Sequence, residues 1–442
     1  MLSRSITQLQ ATALVVGIII GASIFVQPSV ITGTVPSVAA VYAVWVVSGV
    51  LTLFGALIAA ELASAYPKSG GVYVFLKESF SPVVGFLWGW AMFWTMHTGI
   101  IAVIAMVFAR YAAFFVPVGD IGIKLIAIGA VLALSGINYL GVAAGSVVQT
   151  TLTIAKVAAV VAIIVVAFVI GPAVPPAVPP TSAIPAAPLT ANIFALALVA
   201  GLFAVGGWHM VTYAAEETED PERTIPQALL IGVIVVTVCY MALNAAYFHV
   251  LSPRAIATSS RVAADAADAV LGTGGAAMMS AVVVVSTFGA LNGVILAGPR
   301  VYLSMARDGL LFAWAGEIHP EYKTPFRAIM LQAVWASALV ATGTYRDLFT
   351  RVVYTEWIFF ALMAIGLVRL RSRANYKPVY RVWGYPYVPV IFTVSSAYIV
   401  VNQIASKPED SVIGLMMVLA GLPVYWLARP EHGKTGERVS GP

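Results

Sequence analysis

Two glycine-rich clusters and one isolated lysine carry the chemical content of this sequence. Gly17-Ile18-Ile19-Ile20-Gly21-Ala22-Ser23-Ile24-Phe25 and Gly201-Leu202-Phe203-Ala204-Val205-Gly206-Gly207-Trp208 both set small residues in the middle of long apolar runs. A helix interrupted at such a point frees amide and carbonyl groups, and in lipid each unpaired group costs several kcal/mol. A bound ligand can satisfy them. The N-terminal end of a half-helix offers amides and a partial positive charge to a carboxylate, and the opposite end offers carbonyls to an ammonium. A free amino acid carries both groups. Gly17 and Gly21 also form a GxxxG, which serves close helix packing without any ligand. The two clusters head the two halves of the chain, and that pairing favours the binding reading.

Lys156 lies in Thr150-Thr151-Leu152-Thr153-Ile154-Ala155-Lys156-Val157-Ala158-Ala159-Val160 and is followed by further apolar residues. A lysine in mid-membrane costs about 2.5–3.5 kcal/mol on insertion scales, which makes it a functional candidate facing the bundle interior. Snorkelling to the nearer surface is the competing reading, but the lysine sits about ten residues, or about 15 Å, from the preceding loop.

These residues need a scaffold, and the composition says of what kind. Of 442 residues, 60% are hydrophobic and 10% charged, against roughly 25% charged in soluble domains. The surplus apolar surface must face lipid. Apolar segments fall near 9–33, 38–63, 83–115, 121–140, 147–170, 191–215, 227–250, 276–304, 327–343, 347–370, 386–404 and 411–428, twelve by this reading. The first is a membrane helix, not a cleaved leader, since the others follow it. The net charge of +5 is spread over the loops, which suits membrane flanks and not a nucleic-acid stripe. With an internal N-terminus, Lys68, Lys77, Arg307, Lys323, Arg369, Arg371 and Arg373 fall inside, so the positive-inside rule puts both termini in the cytoplasm of a cell-membrane protein. The segment 171–190 holds seven prolines and no charge and reads as a stiff external connector. Residues 253–271 are expected to form a short external helix, and 431–442 a polar cytoplasmic tail. The single cysteine, Cys239, excludes an internal disulfide and a cysteine-built metal site.

The ordered motifs resemble a known family. GIIIGASIF, then Glu61-Leu62-Ala63 and Tyr66-Pro67-Lys68-Ser69-Gly70-Gly71-Val72-Tyr73, is similar to the amino acid–polyamine–organocation superfamily. GLFAVGGW with Glu216-Glu217, Asp220-Pro221 and Ile225-Pro226 resembles its L-type amino acid transporter branch. Asn292-Gly293, Arg300, Met305, Ala306-Arg307-Asp308-Gly309 and Glu356-Trp357 extend the match. The resemblance implies an all-α membrane fold of two inverted five-helix repeats with discontinuous helices 1 and 6, plus two peripheral helices. On the present chain those are 1–170, with the connector at 171–190, then 191–371, and the last two helices in 372–430. It implies alternating access, with the amides of Gly21, Ala22 and Ser23 on the substrate carboxylate. It places the carbonyls of Ile19, Phe203 and Gly206 on the α-ammonium and makes Phe203 a gate. Lys156 would occupy the place of a sodium ion held by other members, against Gly17 and Ile20 and the hydroxyls of Ser286 or Thr287. Ser23 departs from the family's usual glycine, and Phe312 stands where proline is expected. Members that pair with a glycoprotein subunit do so through an external cysteine, which is lacking, so no disulfide-linked accessory subunit is expected.

His97, Trp94 and His209 are candidates for a side-chain pocket, with buried packing as the alternative. Glu61 and Glu356 read as structural partners or gate elements. No acidic residue stands out for a cationic side chain, which favours neutral amino acids. The leading expectation is therefore exchange of small neutral L-amino acids, with no metal or cofactor; the alternative is proton-coupled symport through Lys156. An enzyme or channel is disfavoured, because no HExxH, carboxylate cluster, Cys/His set or selectivity motif is present.

Overall fold

The computed structural model describes residues 2–21, 23–171, 188–272, 274–343 and 345–428. The expected Ala22 contact, most of the proline-rich connector and the 431–442 tail lie outside these residues. Among the described residues the chain is helical, with no strand and a single parallel bridge between Ile6 and Thr218.

In chain order the helices are α1 (Gln8–Ile19), α2 (Ser23–Thr34), α3 (Val38–Ala65), α4 (Val72–Ser79), α5 (Pro82–Ala91), α6 (His97–Ala112), α7 (Asp120–Tyr139), α8 (Val142–Val169), α9 (Ala191–Ala204), α10 (Pro221–Val250), α11 (Pro253–Thr258), α12 (Val262–Leu271), α13 (Gly275–Ala297), α14 (Pro299–Arg307), α15 (Phe326–Thr342), α16 (Tyr345–Arg371), α17 (Tyr387–Ser406), α18 (Pro408–Leu419) and α19 (Gly421–Ala428). A π-helical turn, Met92–Met96, joins α5 to α6, and a 3-10 segment, Trp208–Glu217, follows α9. The region expected as one short helix at 253–271 is two, α11 and α12, parted by residues 259–261.

Among the described residues, ten helical stretches are long and apolar enough to cross a membrane, and α1 with α2, bent by 44°, makes an eleventh. The remaining apolar segment, α15, has 17 residues. At 1.5 Å per residue it reaches about 25 Å, short of a hydrocarbon core of about 30 Å.

Local chemistry sets the ends of these elements. Thr7 caps α1 in a box with Gln10, Ser37 caps α3 and Thr190 caps α9, each satisfying amides that have no partner inside the helix. Small residues let the central helices approach closely. A Cβ at Gly49 would strike Thr237, one at Gly201 would strike Ser48, and one at Gly232 would strike Val15. The charge-free faces of α7, α8 and α17 leave Leu132, Val161, Val165 and Val394 exposed, as lipid-facing surface requires.

Candidate functional site

The first interruption follows from where backbone bonds are lost. Ile20 caps α1 with ψ of 81°, outside the helical range. The Gly21 amide then turns back to the Ile19 carbonyl at 2.8 Å, so the Gly17 carbonyl loses the donor that a continuous helix would supply. The nearest atom to a Cβ built on Gly21 is Ala290 Cβ at 3.4 Å, an ordinary contact. A Cβ on Gly17 would instead collide with Gln149 and Thr153 of α8. The packing reading of the GxxxG thus fits Gly17, whereas Gly21 marks the break. Helix α2 restarts at Ser23 and presents its N-terminus at this point.

The second interruption lies where α9 ends. The Gly206 amide donates to the Phe203 carbonyl at 3.2 Å, and Gly207 takes φ of 90°, a conformation open to glycine. The Ile18 side chain, near the end of α1, fills the space over Gly207, so the two breaks lie against one another. Tyr240 of α10 joins them: its hydroxyl lies 2.9 Å from the Ile19 carbonyl and 3.2 Å from that of Ala204. A phenol has one proton to donate, so the two carbonyls share it. No sequence signal singles out Tyr240, which reads as one aromatic among many in an apolar helix.

Lys156 is buried at 1% exposure. Its Nζ donates to the carbonyls of Gly17 at 2.8 Å, Ile20 at 2.9 Å and Ser286 at 2.8 Å, which uses all three ammonium protons. The Ser286 hydroxyl does not meet the lysine; it lies 3.2 Å from the Ile20 carbonyl and 3.4 Å from that of Gly21. Thr287 turns to its own helix, donating to Val283 at 2.7 Å. The lysine therefore ties α8 to the end of α1 and to α13 through main-chain oxygens alone. Asn292 adds a second polar link, accepting from Asn138 at 2.9 Å and donating to Gly145 and to Gln149, both at 3.1 Å.

The other candidates separate. His97 is buried and bonded at Nε2 to the Val294 carbonyl at 2.9 Å. Trp94 is partly exposed and packs edge-on against Trp335. His209 is buried beside Glu356, at 3.5 Å. Glu61 is fully buried and accepts from Arg371 Nε at 2.8 Å and the Val382 amide at 2.6 Å.

One end of the bundle is tied by charges. Arg300 and Glu217, both wholly buried, form a fork at 2.6 and 2.9 Å. Asp308 accepts from Tyr73 at 2.6 Å and Lys77 at 2.7 Å, and Glu216 accepts from Arg307 at 2.7 Å. Ile6 joins this end: its amide reaches the Glu217 carbonyl and its carbonyl takes the Glu219 amide, both at 2.9 Å. Near Glu61, burial and then the carboxylate push the Tyr380 phenol up to about 12, so that phenol stays neutral here at ordinary pH.

Sequence comparison adds a family to this geometry. The profile described as amino acid permease matches residues 6–428. The serine/threonine exchanger SteT of Bacillus subtilis (strain 168) is 33% identical over 430 residues, covering 96% of this chain and 97% of the relative. The human cystine/glutamate transporter is 30% identical over 431 residues, covering 96% and 85%. The human b(0,+)-type amino acid transporter 1 is 31% identical over 449 residues, covering 100% and 91%. With an all-helical body of multiple apolar spans, the chain belongs to the amino acid permease family of the amino acid–polyamine–organocation superfamily, as a multi-pass transporter and not an enzyme.

Proposed function

We propose that this protein exchanges small neutral L-amino acids across the cell membrane by alternating access around the two interrupted helices. The carrying observation is their juxtaposition, with Tyr240 bridging the Ile19 and Ala204 carbonyls. In this reading the amides of Gly21, Ala22 and Ser23, at the positive end of α2, take the carboxylate. The carbonyls of Ile19, Phe203 and Gly206 take the ammonium, which displaces the Tyr240 hydroxyl from Ile19 on arrival. Phe203 closes the external side. Ser23, bulkier than glycine, narrows the site toward small substrates. The names of the relatives span serine and threonine, cystine and glutamate, and large neutral amino acids, so the pocket of this chain must make the choice.

The same reading counts twelve spans by including α15, with two inverted repeats at 1–170 and 191–371 and two further helices after them. Both termini lie in the cytoplasm, and the Arg300–Glu217 and Asp308–Lys77 ties form the internal closure. Lys156 holds α1 and α13 together in the position of a cation, which allows exchange without a driving ion. The single cysteine, Cys239, sits within α10, away from any external loop.

Purified protein in liposomes preloaded with labelled amino acid tests the function. Efflux is expected to rise when unlabelled substrate is added outside. Efflux indifferent to all twenty external amino acids would refute exchange, and uptake that collapses with the proton gradient would replace it by symport. Phe203→Ala is expected to raise KM about tenfold, equivalent to roughly 1.4 kcal/mol of lost contact; parental kinetics would remove it as the gate. Tyr240→Phe is expected to slow exchange roughly fivefold, the rate equivalent of one net hydrogen bond of about 1 kcal/mol. An unchanged rate would show the hydroxyl to be idle.

A further inference from the structure

Beside the second interruption lies a set of buried polar atoms that the substrate site does not use. His209, second in the 3-10 segment, is fully buried, and neither ring nitrogen has a hydrogen-bond partner within the protein. The Glu356 carboxylate of α16 lies 3.5 Å from its Nε2, and its side chain keeps 21% exposure. Aromatic rings enclose the imidazole: Trp88 at 5.8 Å, Trp208 at 5.5 Å, Tyr213 at 5.6 Å and Phe360 at 5.0 Å between centroids. The Tyr302 hydroxyl and His97 Nδ1 are also buried without a protein partner, while the Trp88 indole N–H is turned toward the Tyr213 hydroxyl. Native interiors leave few such atoms, and a group of them calls for a ligand, an ion or water.

We propose that His209 and Glu356 together bind one proton, and that the carrier occludes its substrate only with that proton in place. The inference takes the transporter reading as its frame. A neutral imidazole beside a carboxylate carries one negative charge. Adding a proton gives a neutral pair, an imidazolium whose Nε2 lies 3.5 Å from the carboxylate. The titratable groups that face the pair are His97 of α6 and Tyr213 of the same 3-10 segment, with Tyr302 of α14 behind Tyr213. None supplies a standing positive charge. The buried cations Arg300 and Lys156 are engaged elsewhere, Arg300 with Glu217 at the far end of the segment and Lys156 with three carbonyls.

Glu356 is the one member of the pair with exposure, and it stands in α16 next to Trp357 and one turn from Phe360, which packs on Trp208. Water entering from the open pathway solvates the carboxylate and lets the proton leave. Closing expels that water, and an unpaired buried charge is then costly. Closure therefore draws the proton back. In strict exchange the proton returns with each half-cycle, so the signature is a pH-dependent rate, not net proton flow.

The test measures amino acid exchange in proteoliposomes held at equal pH on both sides, from about pH 5.5 to 8.5, the range in which such pairs commonly titrate. The parent rate is expected to fall toward tenfold per pH unit above the midpoint. Glu356→Gln, permanently neutral, is expected to keep the low-pH rate within about threefold and to lose the pH dependence. His209→Asn is expected to move the midpoint by at least about one pH unit. A flat parent profile, or variant profiles that parallel the parent's, would overturn the proposal. If no amino acid exchanges at any pH, the transporter reading fails instead. Tryptophan fluorescence of the purified protein then still decides the pair, since an imidazolium edge-on to Trp88 and Trp208 quenches the indoles. A titration step present in the parent and absent in both variants supports the shared proton, and its absence from the parent refutes it. Should Glu356→Gln fail to reach the membrane, His209→Asn decides by either readout.

Discussion

Lys156→Ala is expected to cut amino acid exchange to below about one hundredth of the parent rate while leaving the protein in the membrane. The geometry sets the size of the effect. Three main-chain oxygens, from Gly17, Ile20 and Ser286, converge on the ammonium within 2.9 Å. Two of them belong to the last turn of α1, where the break at Gly21 has removed the usual donors. Hydrogen bonds from a charged donor contribute about 1.5–3 kcal/mol each, and a buried group left unpaired costs about 1–3 kcal/mol. Alanine removes all three bonds at once, so the end of α1 must rearrange to find other partners, and that end carries the Ile19 carbonyl and the Gly21 amide. A loss of only 2.7 kcal/mol in the transition state is about a hundredfold in rate. Lys156→Arg is expected to fail as well, because a planar fork cannot reach three oxygens arranged around a point. Counterflow in proteoliposomes, with the reconstituted amount matched, is the measurement. A rate for Lys156→Ala within about threefold of the parent would take the lysine out of the cycle.

The parts of this site that were legible in the sequence share one property: they break a strong local rule. A lysine in an apolar run and glycines at mid-span are costly in lipid, so their presence points to a reason. Lys156 reaches the carbonyls of Gly17 and Ile20. The third partner shows where such reading stops. Ser286 was notable for its hydroxyl, yet the lysine takes its backbone oxygen, and every residue has one of those. Tyr240 breaks no rule in α10, and its role arises only because the ends of α1 and α9 meet at its hydroxyl. His209 and Glu356 were visible singly, but their meeting depends on how α16 packs against the 3-10 segment, which no local pattern encodes. The helix count is similar. Hydropathy marks α15 as a span, whereas its 17 residues leave the crossing to be settled by its neighbours and by the bilayer.

Glu217→Ala is expected to lose most of the folded protein, and Glu217→Leu combined with Arg300→Met to recover at least half of it. Arg300 and Glu217 have no exposure and hold each other at 2.6 and 2.9 Å, while Arg300 also donates to the Leu296 carbonyl. Removing one partner of a buried pair costs about 3–5 kcal/mol, because the other charge stays in the interior uncompensated, whereas replacing both with apolar groups of similar volume is often neutral. The damage would spread beyond the pair. The Glu217 carbonyl receives the amides of Ser5 and Ile6, so a shift of the 3-10 segment also frees these two residues. Monodisperse yield after detergent extraction, followed by a thermal melt, separates the cases. A single variant as abundant and stable as the parent would mean that the fork contributes no cohesion. A double variant as poor as the single would mean that the ionic chemistry itself, and not mere filling of the space, holds this end of the bundle shut.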